Sequence, residues 1–586
     1  MTGSQTADFR ESTANWQWRI FAAPGIPDVP ENFTGFIGDT LELGDGRRVT
    51  GLAFSFPREG MMNLFDVIPG AEGHRVLDRT IVTADFYADR PGTLQLGLGA
   101  DWLWTLRING EMTVDARKST NGEFPVHFTN HRLEFPYRQG RNQLVWEIFS
   151  AFRHRGPGGG MDTACRIMEA EAPLDFRFDA FPAFPDAASG AVSVIFTGSR
   201  NSPAAVEFRP AGTPSWQRCY DARGGQMRCD RAVHPIRLRG LQPDTLYEYR
   251  PVLLDDWRGG REIFGETRLF RSAPAAGAPL RFTATADLQT FEGRTEYLKK
   301  ILTKETFRPD FFAFLGDLLW TTLFDRQVME EFVVPFTRLT DRGMPLVMVR
   351  GNHEMYGREA GRYFEYFGMP EPGREGYGLF RWGETCFFIL DFGDDTDRMP
   401  APSTRRFHDL EPYIDAEAEW LSRAVDLPAC REAKYRIVLA HGIPAGDVQH
   451  YMPEHVRRVI DPVFGGTTPR CRIHLYLGGH IHTAFRSVPG KRAFRSVLPP
   501  EKMLPAGESL PACWANYSFP VLATGGPNGK IAKNMQFTSF EVAVDDRGIA
   551  VSSLDETQTV FDRILIDPTG SIAEEESAPE FRYYEY

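Results

Sequence analysis

Five short segments in the C-terminal half carry residues that could hold metal ions. In order they are Asp287-Leu288-Gln289, Gly316-Asp317, Gly351-Asn352-His353-Glu354, His441-Gly442 and Gly479-His480-Ile481-His482. Together they offer carboxylate, amide and imidazole groups and no thiolate. Donors of this mix suit Mn, Fe or Zn rather than an iron–sulfur or all-cysteine site. Such a set can hold two cations around one shared carboxylate, and two-metal sites of that kind act on phosphate esters. Taken singly, each residue has a plainer reading, since an Asp at a strand end is most often a turn or cap residue. The ordered set of five carries the weight.

The elements that must position these groups are legible as runs. Phe282–Ala286, Phe311–Leu315, Leu346–Val349, Phe387–Leu390, Tyr435–Leu439 and Ile473–Leu477 are apolar and strand-like. Between them, Tyr297, Leu298, Ile301 and Leu302 share a helical face, as do Trp420, Leu421, Ala424 and Val425, and Met329–Leu339 reads as a helix. Strands alternating with helices indicate an α/β arrangement with much parallel pairing. Ligands gather beyond the carboxyl ends of such strands, and all five segments fall there. Residues 567–586 are Glu-rich and read as a flexible acidic tail.

Residues 1–171 read as all-β. Leu94, Leu96 and Leu98 alternate with polar or small neighbours, Asn109-Gly110 marks a tight turn, and Asn142–Phe149 gives a further strand. The stretch from Gly99-Ala100-Asp101-Trp102 to Asn109-Gly110 loosely resembles jelly-roll, galactose-binding-like modules, which implies possible glycan contact, with the Trp residues in such folds usually in the core. In residues 172–273, Val192, Val194 and Phe196 alternate with Ser193, Ile195 and Thr197. The string Leu241-Gln242-Pro243-Asp244-Thr245-Leu246-Tyr247 matches a tyrosine corner, and the segment resembles a fibronectin type III-like sandwich, read here as a structural spacer.

With these strings in view, residues 279–566 resemble the calcineurin-like metallophosphoesterase superfamily, and a fibronectin-like module just before that domain resembles the order in purple acid phosphatases. The implied architecture is multidomain: two β-sandwich modules, then an α/β four-layer (αββα) metallophosphoesterase domain. The resemblance implies two divalent or trivalent ions (Fe, Mn or Zn) and cleavage of phosphate esters by metal-activated hydroxide. Asp317 would bridge the ions; Asp287, Gln289 and His482 would complete one site, and Asn352, His441 and His480 the other. His353 would act at the leaving group or phosphate. Glu354 would orient a neighbouring histidine, with Asp391 as a second such residue. Two positions depart from the pattern. Gln289 stands where many relatives have His, giving a neutral donor. Trp320 stands where purple acid phosphatases have Tyr, so iron–tyrosinate chemistry is not expected. Domain order places phosphomonoesters ahead of nucleotide or other phosphodiesters, and a non-catalytic glycan- or protein-binding scaffold with a vestigial metal site stays open.

Composition sets outer limits. The net charge of −12 argues against nucleic acid as a general partner; the phosphorylated small molecule expected as partner is what the resemblance implies. No run of eighteen apolar residues is present, so no membrane span is expected. Met1–Arg19 is polar, without the apolar stretch of a secretory signal, which favours a cytoplasmic location. Seven cysteines in 586 residues are no disulfide scaffold; Cys219 and Cys229 could pair across a hairpin or remain reduced thiols.

Overall fold

The computed structural model describes residues 16–585, apart from segments 57–61, 69–78, 118–125, 150–161, 168–172, 256–260, 334–342, 371–375, 395–408, 445–451, 500–516 and 526–536 and gaps of one to four residues. The chain divides into two compact units: Met1–Pro173 with Leu254–Glu262, and Leu174–Leu253 with Ile263–Tyr586.

The first unit is built mainly of two antiparallel sheets, beside a two-stranded ribbon of Thr40–Glu42 and Arg48–Thr50. One runs in the order Leu52–Phe54, Gln17–Phe21, Arg79–Ala88, Gly140–Phe149, Leu103–Ile108, Glu111–Asp115; the other, His131–Tyr137, Gly92–Ala100, Asp162–Ile167, Met62–Asn63. Leu94, Leu96 and Leu98 enter the shared core with Trp104 and Trp146. Both tryptophans are fully buried, so neither offers a ring face to a sugar, and glycan contact gains no support there. Trp102 lies outside the described residues. Asn109 and Gly110 have φ of 52° and 86°, the left-handed pair a two-residue hairpin turn needs.

In the second unit, strands Phe176–Asp186, Ala191–Gly198 and Val233–Leu238 pack against the sheet carrying Ala204–Pro210 and Leu246–Asp255. The Tyr247 hydroxyl accepts a hydrogen bond from the Gln242 N–H at 2.9 Å, which ties down the corner seen in the sequence. This sheet does not end at its own edge. Phe176–Asp186 pairs in parallel with Leu346–Met348, through Ala183 and Leu346. One ten-stranded sheet therefore continues through Leu346–Met348, Phe311–Phe314 and Leu280–Thr285 to the antiparallel strands Ser539–Asp545, Gly548–Leu554, Val560–Ile566 and Ile572–Ser577. The expected spacer thus shares backbone hydrogen bonds with the strands that carry the candidate site.

An eight-stranded sheet lies over it, with parallel strands Thr385–Leu390, Tyr435–Ala440, Leu475–Gly478 and Val521–Ala523 at its centre. Strand side chains alternate faces, and the burial follows. Phe387, Ile389, Ile437, Leu439, Leu475 and Leu477 join Phe282 and Phe311 of the ten-stranded sheet in one core. Cys386, Phe388, Leu390, Val438, Ala440 and Tyr476 join a second core with helices Leu410–Ala424 and Met452–Phe464. Strands buried on both faces must be apolar throughout, which is why these runs stood out. The first helix buries Leu410, Ile414, Glu417, Trp420, Leu421 and Ala424, the stripe expected of an amphipathic helix. Each fully buried Leu, Ile or Phe contributes about 1.5–3 kcal/mol.

Two expectations change, and one left open is decided. The acidic tail is not loose: Ile572–Ser577 pairs with Val560–Ile566, and Arg582–Glu585 pairs with Ala493–Ser496. Backbone pairing needs no apolar composition, and buried Arg486 draws Glu575 in at 3.1 Å. The helix expected at Met329–Leu339 is a short α-turn, Asp325–Val328, running into a π-turn, Met329–Val333; residues 334–339 lie outside the described set. Cys219 and Cys229 are free thiols. Among the described residues no helix is long and apolar enough to cross a membrane.

Candidate metal centre

The five segments converge where the parallel strands of the two sheets end. Asp287 and Gln289 follow Leu280–Thr285, Asp317 follows Phe311–Phe314, and Asn352 to Glu354 follow Leu346–Met348. From the facing sheet, His441 follows Tyr435–Ala440, and His480 and His482 follow Leu475–Gly478. Glycines let the turns interlock. A Cβ on Gly316 would lie 2.6 Å from Nδ1 of His441, and one on Gly479 would lie 2.6 Å from Oδ2 of Asp287. Neither separation is tolerable for carbon, so both positions require glycine.

Two donor sets form. Asp317, His441 and His480 bring ligand atoms within 4.8 Å of one another, and so do Asp287, Asp317 and His482. Asp317 belongs to both. The Asn352 Oδ1 lies 3.1 Å from His441 Nε2 and 3.1 Å from His480 Nδ1, joining the first set. The Gln289 side chain is fully buried, with Nε2 3.4 Å from Asp317 Oδ2. Its Oε1 is buried without a hydrogen-bond partner, an arrangement that costs free energy unless something else satisfies the atom. A cation at that oxygen would do so, and the residues present fit a pair of metal ions.

Electrostatics point the same way. Asp287, Asp317 and Glu354 are all essentially buried, and buried carboxylates require positive partners. Burial raises the Asp287 carboxyl above its usual range, against the pull of His482. Burial acts likewise on Asp317, but His441 at 3.3 Å outweighs it and holds this carboxyl far below the usual range. Burial opposes charge on His441, yet Asp317 and Asp287 bring it up to about 10. His441 Nδ1 donates to the Leu315 carbonyl at 2.8 Å, which leaves Nε2 facing the donor set.

The turns are strained. Among the described residues nine non-glycine residues have positive φ, and five are candidate ligands: Asp287 (55°), Gln289 (29°), Asp317 (54°), His480 (72°) and His482 (51°). Each costs roughly 1–3 kcal/mol, so surrounding bonds must hold it. Glu354 does much of this. Its Oε1 accepts the N–H groups of Leu318 (2.7 Å) and Leu319 (3.1 Å), and Oε2 those of Asp317 (2.9 Å) and Gly351 (2.8 Å). Glu354 was expected to orient a histidine; instead it clamps two loops through four backbone donors. Asp391 is also placed differently. It pairs with Arg350 at 2.8 Å and accepts from Tyr413 at 2.9 Å, and so braces the approach to Gly351 and none of the candidate ligands directly.

Two residues were not singled out from the sequence. Arg294 is buried and donates to the carbonyls of Gln289, Leu318 (2.9 Å) and Glu331. The Tyr356 hydroxyl accepts from Asn352 Nδ2 at 3.2 Å and donates to Asp394 at 2.8 Å, which turns Oδ1 of Asn352 toward the histidines. The sequence holds little sign of either, beyond an Arg opening a helix after Gly293 and a Tyr four residues after Asn352. His353 stands at the rim. Its Nδ1 bonds the Trp320 carbonyl at 3.0 Å and its Nε2 lies 3.9 Å from Asp317 Oδ2.

Residues 280–484 match the family model for calcineurin-like phosphoesterases, and this part of the chain carries such a domain, after an N-terminal region that is mostly β. No curated protein matches the chain. Among solved structures, a purple acid phosphatase from yellow lupin (Lupinus luteus) seeds is similar at 13% identity and TM-score 0.42, over 83% of this chain and 92% of that one. A predicted phosphoesterase from Streptococcus pneumoniae matches at 12% identity and TM-score 0.22, over 52% and 99%. A glycosyl hydrolase family 2 member from Bacteroides cellulosilyticus matches at 11% and 0.20, over 79% and 58%. TM-scores below 0.5 do not define a fold.

Proposed function

We propose that the chain is a hydrolase of phosphate esters that works with two metal ions. The sharing of Asp317 between two donor sets carries the reading. Asp287, Gln289, Asp317 and His482 would hold one ion, and Asp317, Asn352, His441 and His480 the other. When bound, such ions acidify water and offset the charge that builds on a phosphoryl group. A carboxylate suits the shared position because it offers two oxygens and so could serve both donor sets.

The chain's own residues supply the rest. Glu354 and Arg294 hold the strained turns, and Tyr356 fixes which face of the Asn352 amide looks inward. His353, with Nδ1 tied to a carbonyl, has Nε2 free to reach substrate. As an imidazolium it can give that proton to the leaving oxygen, which is general acid catalysis worth about 10²–10⁴-fold.

The likeness of residues 172–273 to a fibronectin type III sandwich, supported by the Tyr247 corner, and the reading of the two sheets with flanking helices as αββα layers belong to the same proposal. Monoesters come first because of that domain order, with diesters next.

The test is turnover of p-nitrophenyl phosphate and bis(p-nitrophenyl) phosphate by the Mn-, Fe- or Zn-loaded chain, with metal content measured alongside. His353→Ala is expected to lose about 10²-fold or more in kcat while retaining both ions. Bound metal with no turnover of either ester would favour the scaffold reading instead.

A further inference from the structure

The rim of the metal centre carries an aromatic wall that the reading so far leaves without a task. Trp320 is 41% exposed. The Trp320 ring stands edge-on to the His353 imidazole, with centroids 5.1 Å apart and planes at 77°; the Tyr356 ring lies 5.2 Å from the same imidazole.

The wall is held in place by its backbone. The Trp320 carbonyl accepts from His353. The next two residues are pinned to the same turn: Thr321 Oγ1 donates to the Tyr356 carbonyl at 3.0 Å, and Thr322 donates to the carbonyls of Tyr356 (2.7 Å) and Glu354 (3.1 Å). The ring therefore sits on a cross-braced loop at a fixed distance from His353, and His353 Nε2 is 3.9 Å from the shared carboxylate. A phosphoryl group seated at Asp317 would place its ester oxygen toward His353. The Trp320 ring, 5.1 Å from that imidazole, is then within reach of a group attached to that oxygen.

From this placement we infer that Trp320 is a specificity-determining residue, a stacking platform for a planar aromatic group on the ester, such as an aryl or nucleobase-bearing alcohol. The inference rests on the phosphoester reading above and deepens it. A rigid aromatic face discriminates planar π-systems from aliphatic groups of equal bulk, and one such contact is worth roughly threefold to tenfold in affinity.

Phosphonates test it without dependence on leaving-group reactivity. Dissociation constants for phenyl-, cyclohexyl- and methylphosphonate would be measured by calorimetry on the manganese-loaded full chain, and on Trp320→Ala and Trp320→Phe at matched metal content. Phenylphosphonate is expected to bind about fivefold to tenfold more tightly than cyclohexylphosphonate. Trp320→Ala is expected to erase that ratio, and Trp320→Phe to keep part of it. A ratio near one in the natural chain, or a ratio unchanged in Trp320→Ala, overturns the inference. If esters are turned over while the three phosphonates bind alike, this inference alone fails. If none of the three binds, it falls together with the phosphoester reading. If phenylphosphonate is preferred through Trp320 and no ester is turned over, the platform stands and the hydrolase reading fails.

Discussion

The two sheets contribute different chemistry to the same few ångströms. The ten-stranded sheet supplies the oxygen donors: Asp287, Gln289, Asp317 and Asn352. The eight-stranded sheet supplies the imidazoles: His441, His480 and His482. Carboxylate oxygens alone suit hard cations such as Mg or Ca, whereas mixed oxygen and nitrogen donors suit Mn, Fe and Zn. Metal preference is therefore a property of the seam and belongs to neither sheet. Bonds cross that seam even without an ion, as in His441 to the Leu315 carbonyl and the His480 N–H to the Asp287 carboxylate at 3.0 Å. The oxygen side also bears most of the bracing, through Glu354 and Arg294.

Asp317→Ala should have the largest effect, because it removes the one oxygen donor that both sets share. Turnover is expected to fall to background and metal content to below one ion per chain; retention of two ions would break the shared-carboxylate reading.

Next come paired deletions on the imidazole side. His441→Ala and His482→Ala should each lower metal content toward one ion per chain, because the two histidines sit in different sets. Anomalous scattering from crystals of the two variants should show opposite positions emptied.

Glu354→Gln tests the bracing of the oxygen side. An amide offers one acceptor oxygen where four N–H donors now converge, so about 1–3 kcal/mol of stability should be lost. Metal affinity should fall on the order of 10–100-fold. Thermal unfolding with and without chelator, together with metal titration, measures both; unchanged melting would show that the clamp is dispensable.

The mildest test is pH. His441 is raised from 6.5 to about 10 in the metal-free chain, so it is protonated at pH 7–9, whereas a metal needs the neutral ring. Affinity should rise with pH over that window, by up to about tenfold per unit, with proton release visible as buffer-dependent binding heat. The same shift stabilises the metal-free fold fully below pH 6.5, and that contribution is lost as pH passes 10. Binding heat independent of buffer would mean that the imidazole side is already neutral.

What the sequence reveals follows from how local each signal is. Strand ends carrying Asp, Asn and His are legible because alternation and apolar runs are properties of a few consecutive residues. The role of Glu354 is not, since the sequence names a carboxylate but not the four N–H groups that reach it from residues 317–319 and 351. Nor is the left-handed backbone at Asp287, Gln289, Asp317, His480 and His482. Asp and His tolerate that region better than most residues, but nothing local in the sequence singles out these positions for it. The tail misleads because Glu-rich composition suits both a solvated coil and an edge strand whose charges face water.

The pairing of Ala183 with Leu346 bears on any attempt to isolate the catalytic half. Excision at the Pro274–Pro279 linker would strip the neighbour from Leu346–Met348 and leave a raw, apolar edge open to other chains. The fragment would meet its own copies along that edge, directly upstream of Asn352 and His353. The smallest self-contained piece of this protein begins before Phe176.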